Sequence, residues 1–158
     1  MPAKKKSARK PARKAARKAA RPKSRASRKQ PENLRLRSAT PGYTVNDIHR
    51  SLAWYENVLG CIVVSRWERD GRLQGATVRA GSVEFYLGQD DWKLGRDRVK
   101  GAGFRIYCTT RQNVDAVAAG IKARGGTLLH EPQDEPWGER DFAIADPDGF
   151  KITISQTG

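Results

Sequence analysis

Three short segments of alternating residues carry side chains suited to binding a small molecule. Glu84 and Tyr86 alternate with apolar residues, Arg105 and Tyr107 do the same, and Thr153 alternates with two isoleucines. Successive side chains of a strand point to opposite faces of its sheet. Tyrosine rings offer planar surfaces for stacking, and the two charged groups can pair with polar groups of a ligand. We predict that these five residues line a ligand cavity. The alternative is that they form a plain solvent-exposed face of the sheet.

Trp137 is a further candidate ligand contact. It lies between Pro136 and Gly138, and that composition is typical of a loop. An indole ring in a loop beside the cavity can stack on a planar ligand. Packing of the ring within its own loop is the alternative.

A different kind of chemistry is concentrated in the first thirty residues. They hold 14 of the 31 lysines and arginines and no acidic residue, which leaves 17 basic against 17 acidic groups elsewhere. Alanine is the only apolar residue type in 3–30, so there is too little to bury, and we predict a disordered tail over 1–38. Its charges predict salt-sensitive binding to nucleic-acid phosphates without sequence preference. The candidate residues are Lys4, Lys5, Lys6, Arg9, Lys10, Arg13, Lys14, Arg17, Lys18 and Arg21.

The tail also leaves other roles open. Its composition is similar to that of the tails of linker histones and bacterial histone-like proteins. A solubilising extension, attraction to ribosomes or anionic lipid, and a targeting peptide are the alternatives, although a transit peptide is normally amphipathic. The sequence shows no stretch apolar enough to cross a membrane and no signal-peptide core. We expect a cytoplasmic protein, associated with the nucleoid if the tail binds DNA.

Residues 39–158 are predicted to form one α+β domain that positions the candidate ligand residues. The spacing of apolar residues predicts two amphipathic helices, each followed by glycine. One short strand precedes each helix and three follow it, so the domain is predicted to contain two βαβββ modules whose mixed sheets cup a cavity. The helices are predicted to begin near Asn46-Asp47 and Gln112-Asn113, and the turns are predicted at Asp70-Gly71, Ala80-Gly81 and Pro147-Asp148-Gly149.

Histidine and cysteine are scarce in this domain. The only histidines are His49 and His130, which we expect to be isolated surface residues. Cys61 and Cys108 have no motif spacing, and we expect two buried, unpaired thiols in an intracellular protein.

Two motifs in the domain resemble those of a known superfamily. The first is Asp47-x-x-x-Ser51-x-x-Trp54-Tyr55-x-x-x-Leu59-Gly60, and the second is Pro136-Trp137-Gly138-x-Arg140-x-Phe142-x-x-x-Asp146-Pro147-Asp148-Gly149. Together they resemble the vicinal oxygen chelate superfamily, which includes glyoxalases, extradiol dioxygenases and bleomycin-resistance proteins. The resemblance covers about residues 39–156 and implies paired βαβββ modules.

The resemblance also implies a metal site on the concave sheet faces. Carried over by position, its ligands fall at Thr40, Glu84, Arg105 and Thr153. A divalent metal needs several histidine or carboxylate ligands, and an arginine repels a cation. We therefore expect the metal-free mode of the bleomycin-resistance-like members, with no cofactor, and keep a divalent metal as the alternative.

Three functions follow from these observations. The leading hypothesis is a homodimer that binds a small planar or anionic molecule and associates with nucleic acid through its tail. A glyoxalase-type lyase or isomerase with an atypical metal site is the enzyme alternative. The third is a nucleoid-associated protein whose domain only dimerises. Trp54 and Tyr55 are expected in the core or at a dimer surface rather than at the ligand.

Overall fold

A computed structural model describes residue 34 and residues 36–158 of the chain. The predicted disorder of residues 1–33 and the ten basic residues of the tail lie outside these described residues. Residues 36–41 have no regular secondary structure. Among the described helices, none has the length and apolar character needed to span a membrane.

The first module contains strand β1 (Gly42–Val45), helix α1 (Ile48–Trp54), and strands β2 (Ile62–Arg69), β3 (Arg72–Ala80) and β4 (Val83–Gln89). Asp47 caps α1 as predicted, because its carboxylate accepts hydrogen bonds from the backbone N–H groups of His49 and Arg50. The predicted helix continues past α1 as one π-helical turn, Tyr55–Leu59, and ends at Gly60 with φ of 86°. Glycine tolerates this left-handed conformation without steric cost.

The second module repeats this order. It contains β5 (Arg105–Thr110), α2 (Val114–Ala123), β6 (Leu128–Asp134), β7 (Arg140–Ala145) and β8 (Lys151–Gln156). Asn113 caps α2 by accepting a hydrogen bond from the N–H of Ala116 at 2.9 Å. The predicted strand that ended at His130 continues to Asp134, because this longer segment pairs with β7.

The two sheets have the same topology. Their strand orders are β1-β4-β3-β2 and β5-β8-β7-β6, with a parallel first pair and antiparallel pairs thereafter. This repeat confirms the predicted pair of βαβββ modules. The apolar faces of both sheets and one side of each helix form a single core, which leaves the opposite sheet faces free of helices.

The two sequence motifs meet at the contact between the modules. The Ser51 hydroxyl donates to Oδ2 of Asp148 at 3.1 Å, and the Tyr55 hydroxyl donates to Oδ2 of Asp146 at 3.3 Å. Burial raises the pKa of Asp146 to about 6, although hydrogen bonds from the N–H groups of Phe150 and Asp148 act to lower it. These motif residues therefore hold the modules together, and Tyr55 lies in the core as predicted.

The segment between the modules packs tightly against the second motif. Gly101 has φ of 67°, and a Cβ atom at this position would lie 2.5 Å from the carbonyl carbon of Gly149, deep inside van der Waals contact. The same segment is fixed by the buried carboxylate of Asp90, which pairs with Lys100 and with Arg98. Although burial acts to raise the pKa of Asp90, its hydrogen bonds with these two cations lower it overall.

Both cysteines are unpaired within the described part of the chain, as predicted. Cys61 is buried and Cys108 is half-buried. Burial raises the pKa of the Cys61 thiol to about 11, so the thiol is protonated at neutral pH.

Candidate functional site

The sheet faces that carry no helix hold five of the six predicted ligand residues. Glu84 and Tyr86 lie on this face of the first sheet, and Arg105, Tyr107 and Thr153 lie on this face of the second. We call these two surfaces the first and second open faces. The side-chain alternation predicted from the sequence is therefore confirmed, but the chain divides the residues between two surfaces.

Tyr86 forms a flat aromatic floor on the first open face. A Cβ atom at Gly75 would lie 3.1 Å from Cζ of Tyr86, and one at Gly88 would lie 3.3 Å from Cε1. The ring therefore occupies the space above two glycines of neighbouring strands, and Gly42 of β1 lies near its Cδ1 atom. Glycine inside a strand commonly marks such a close approach. The tyrosine side chain remains 41% exposed.

Trp67 is a residue of the first open face that the sequence interpretation missed. In a regular strand, Trp67 would lie on the same face as Val63, which packs against the core. A bulge between Val63 and Ser65 reverses this order and pairs Trp67 with Gly75. Trp67 is therefore on the same side of the sheet as Tyr86, and it is half exposed.

The second open face combines an exposed rim with a buried polar floor. Arg105 and Tyr107 are exposed, whereas Thr153 and Ser155 are buried. Nη1 of Arg105 donates a hydrogen bond to the Thr153 hydroxyl at 3.3 Å. Among residues 36–158, Arg105 forms no ion pair with Glu84, and its guanidinium contacts Thr153 instead.

The residues at the family's metal positions do not fit a divalent metal. At two of these positions, Arg105 and Thr153 are hydrogen-bonded to each other, and the guanidinium is a permanent cation. Thr40 adds a hydroxyl, and Glu84 is the one carboxylate of the set. No cluster of three or more histidine, cysteine or acidic side chains suited to a metal occurs in the described residues.

His130 and Asp141 also lie on the second open face, and neither was predicted there. Their Cα registers place His130 opposite Ala143 and Asp141 opposite Ser155. His130 was expected to be an isolated surface residue, but its Nε2 lies 3.7 Å from Oδ1 of Asp141. Two irregularities in the β6–β7 pairing create this approach, and the sequence of either strand gives no signal of it.

Trp137 lies in the loop between β6 and β7, as predicted. Hydrogen bonds between Glu135 and Glu139, and from the N–H of Gly138 to the Glu135 carbonyl, close this loop. The indole is 65% exposed, so the loop does not bury it. This exposure leaves the ring available to a ligand, and its role in binding stays a prediction.

A large cavity lies elsewhere, on the helix side of the sheets. It has a volume of about 970 Å³ and runs between α2 and the β3–β4 turn. Apolar side chains of both modules line it, including Phe85, Cys108 and Ile154. None of the six predicted ligand residues borders this cavity or a second one of about 540 Å³.

Comparison with known proteins extends this description. The model of the Glyoxalase/Bleomycin resistance protein/Dioxygenase superfamily matches residues 37–154. The sequence matches none of the curated proteins.

Solved structures share the fold over nearly their full length. A member of the glyoxalase/bleomycin resistance protein/dioxygenase superfamily from Sphaerobacter thermophilus DSM 20745 is 26% identical, with a TM-score of 0.61 over 76% of this chain and 98% of that one. TioX from Micromonospora sp. ML1 is 18% identical, with a TM-score of 0.61 over 75% and 98%. TnmS3, an antibiotic binding protein from Streptomyces sp. CB03234, is 22% identical, with a TM-score of 0.59 over 79% and 100%.

Proposed function

The chain belongs to the Glyoxalase/Bleomycin resistance protein/Dioxygenase superfamily, and we propose that its open faces bind a small planar molecule. The observation that carries this proposal is the ring of Tyr86, held flat over glycines beside Trp67 and open to solvent. A contiguous exposed apolar patch can mark a ligand-binding groove or a protein interface. The neighbour TnmS3, described as an antibiotic binding protein, supports a small-molecule ligand.

The proposed binding unit is a homodimer. In one chain Tyr107 of the second open face is 69% exposed, and Trp137 of the β6–β7 loop is 65% exposed. A drug-sized ligand is normally buried over most of its surface. If a second copy of the chain placed its second open face over the first open face of its partner, Tyr86, Tyr107 and Trp137 would be enclosed in one cavity. Arg105 would be available there to an anionic group of the ligand.

We propose that binding proceeds without a metal or other cofactor, because Arg105 and Thr153 occupy family ligand positions and bond to each other. The alternative is a glyoxalase-type lyase or isomerase with an atypical site. Metal analysis of the purified chain separates the two functions. Stoichiometric, tightly held zinc, nickel, manganese or iron would favour the enzyme.

Tyr86→Ala is expected to weaken the binding of a planar dye. Proflavine, a three-ring planar cation, serves as the probe in a fluorescence titration of the full chain. Loss of one stacking surface costs about 1 kcal/mol, and each 1.4 kcal/mol corresponds to about a tenfold change in Kd. We therefore expect Kd to rise about fivefold.

Two further variants make this test specific. Tyr86→Leu retains an apolar side chain but lacks the planar ring, so it should weaken binding as Tyr86→Ala does. Leu94→Ala removes exposed apolar surface from the segment between the modules and should leave Kd unchanged. Equal affinity of the original chain and both Tyr86 variants would show that proflavine does not bind at this floor.

The tail is proposed to hold nucleic acid, because residues 1–30 contain 14 basic groups and no acidic one. Deletion of residues 1–38 is expected to abolish binding to a random-sequence DNA duplex in an anisotropy assay. For the full chain, neutralisation of six to ten phosphates predicts a loss of roughly 10³ to 10⁵ in affinity between about 50 and about 200 mM salt.

A matched variant separates charge from length. Replacing the ten candidate lysines and arginines by serine keeps the tail but removes those charges, and it should weaken binding by at least about tenfold. Retention of DNA by the deleted chain at physiological salt would contradict the tail proposal. If dye binding were absent while DNA binding was retained, a nucleoid-associated protein whose domain only dimerises would fit better.

A further inference from the structure

Asp141 is a buried carboxylate that lacks a hydrogen-bond partner. Its side chain is 4% exposed, and Oδ1 has no donor among the described residues. It lies on β7 with its side chain on the second open face, opposite Ser155 of β8. Buried polar groups are nearly always paired in folded proteins, so an exception calls for a specific explanation.

His130 offers a second acceptor to the same space. Its Nδ1 lies 3.1 Å from the backbone carbonyl oxygen of Glu131. A carbonyl can only accept, so Nδ1 carries a proton, and in the neutral form of the ring Nε2 then keeps a lone pair. That lone pair lies 3.7 Å from Oδ1 of Asp141. Two acceptors at this distance can share one donor placed between them.

The charges around Asp141 favour a positive donor. Burial raises the pKa of Asp141, and the carboxylates of Glu135 and Glu139 raise it further, whereas Arg105 and the protonated form of His130 oppose the change. Three of these four neighbours belong to β6 and the loop that follows it, and Arg105 lies on the far edge strand of the sheet. The β6–β7 end of the face is therefore acidic, and the β5 end is basic.

We propose that Asp141 and His130 form a donor-recognition site for the ligand of the second open face. The ligand is a planar molecule that carries an ammonium or ring N–H group, and this group enters between Oδ1 of Asp141 and Nε2 of His130. Any anionic or carbonyl group of the same molecule would lie toward Arg105. This proposal rests on the proposed function, since it assigns a ligand class to the same open faces.

The test compares two planar probes on the full chain by fluorescence titration. Proflavine has a positive charge and N–H donors, whereas anthracene-9-carboxylate has a similar three-ring shape, a negative charge and no donor. Asp141→Asn is expected to raise the Kd of proflavine about tenfold, because a charge-assisted hydrogen bond is lost. The Kd of anthracene-9-carboxylate should change by less than about twofold. His130→Phe should also weaken proflavine while retaining a planar ring at an accessible position.

Asp134→Asn is the matched control. It removes the same charge from β6, but the Asp134 side chain is 84% exposed and pairs with Arg140. We expect this variant to leave the Kd of both probes unchanged. Thermal unfolding of each variant shows whether it is folded under the titration conditions, and His130→Phe provides a second route if Asp141→Asn is unstable.

The outcomes distinguish this inference from the proposed function. Suppose that both probes bind and that Tyr86→Ala raises the Kd of both. If Asp141→Asn and His130→Phe then change the two Kd values equally or not at all, the donor site is wrong and the planar-ligand function stands. If neither probe binds the original chain, both proposals fail. Selective loss of proflavine in the two variants supports the donor site.

Discussion

Gly101→Ala is expected to lower the free energy of unfolding by about 3 kcal/mol. Gly101 has φ of 67°, and an alanine in this left-handed region costs about 1 kcal/mol. In addition, its Cβ atom would lie inside the contact radius of the Gly149 backbone and 2.7 Å from the Phe150 nitrogen. Backbone atoms within a turn cannot move aside as a flexible side chain can, and overpacking of this kind costs about 1–3 kcal/mol. Urea unfolding followed by tryptophan fluorescence measures the change.

Gly103→Ala separates the two contributions. Gly103 has φ of 69°, but a Cβ atom there would meet no atom within 4 Å. This variant should therefore lose only about 1 kcal/mol, the cost of the left-handed conformation. Equal losses for the two variants would show that the approach of Gly101 to the Asp146–Gly149 turn does not constrain the fold.

Asp146→Asn is expected to change how stability depends on pH. The pKa of Asp146 is about 6 in the folded chain and about 3.9 in an unfolded one. Between these values the folded chain binds more protons, so the stability present below about pH 4 is lost as pH rises through about 6. The difference between the two pKa values corresponds to about 3 kcal/mol.

Asparagine has nearly the same shape as aspartate and does not titrate. Its Oδ1 can accept the two backbone hydrogen bonds that Asp146 now accepts from Asp148 and Phe150. The unfolding free energy of Asp146→Asn relative to the original chain should therefore rise by up to about 3 kcal/mol between pH 4 and pH 7.

Tyr55→Phe provides the complementary change for this experiment. It removes the hydroxyl that donates to Oδ2 of Asp146, a hydrogen bond that holds the pKa down. The loss of stability with rising pH should then become larger than in the original chain. A constant difference between Asp146→Asn and the original chain across this pH range would contradict the raised pKa.

The sequence predicted those features that depend on local chemistry. Asp47 and Asn113 were expected near the starts of the two helices, because a short polar side chain can accept a backbone N–H there, and both cap their helices. The alternation of Phe85 and Leu87 with Tyr86 likewise identified the buried and open sides of β4. The order of strands and helix along each module, βαβββ, was also predicted from the sequence.

The features that were missed depend on pairing between distant segments. The β2 bulge beside Val64 moves Trp67 to the open face, and it becomes visible only once β2 is registered against β3. The approach of His130 to Asp141 requires the irregular pairing of β6 with β7. The location of the cavity beside α2 depends on how the two modules pack, which strand alternation does not encode.

The residues that join the two modules are different from the residues that we propose to contact the ligand. The hydroxyls of Ser51 and Tyr55 donate hydrogen bonds to Asp148 and Asp146 away from the open faces. These four residues therefore identify the fold and give no information about the ligand. Tyr86 and Arg105 lie on the opposite side of the strands and take no part in this contact. Substitutions there can alter recognition while the modules remain joined. A chain that retains both motifs can therefore accept substitutions on the open faces, where we propose that the ligand binds.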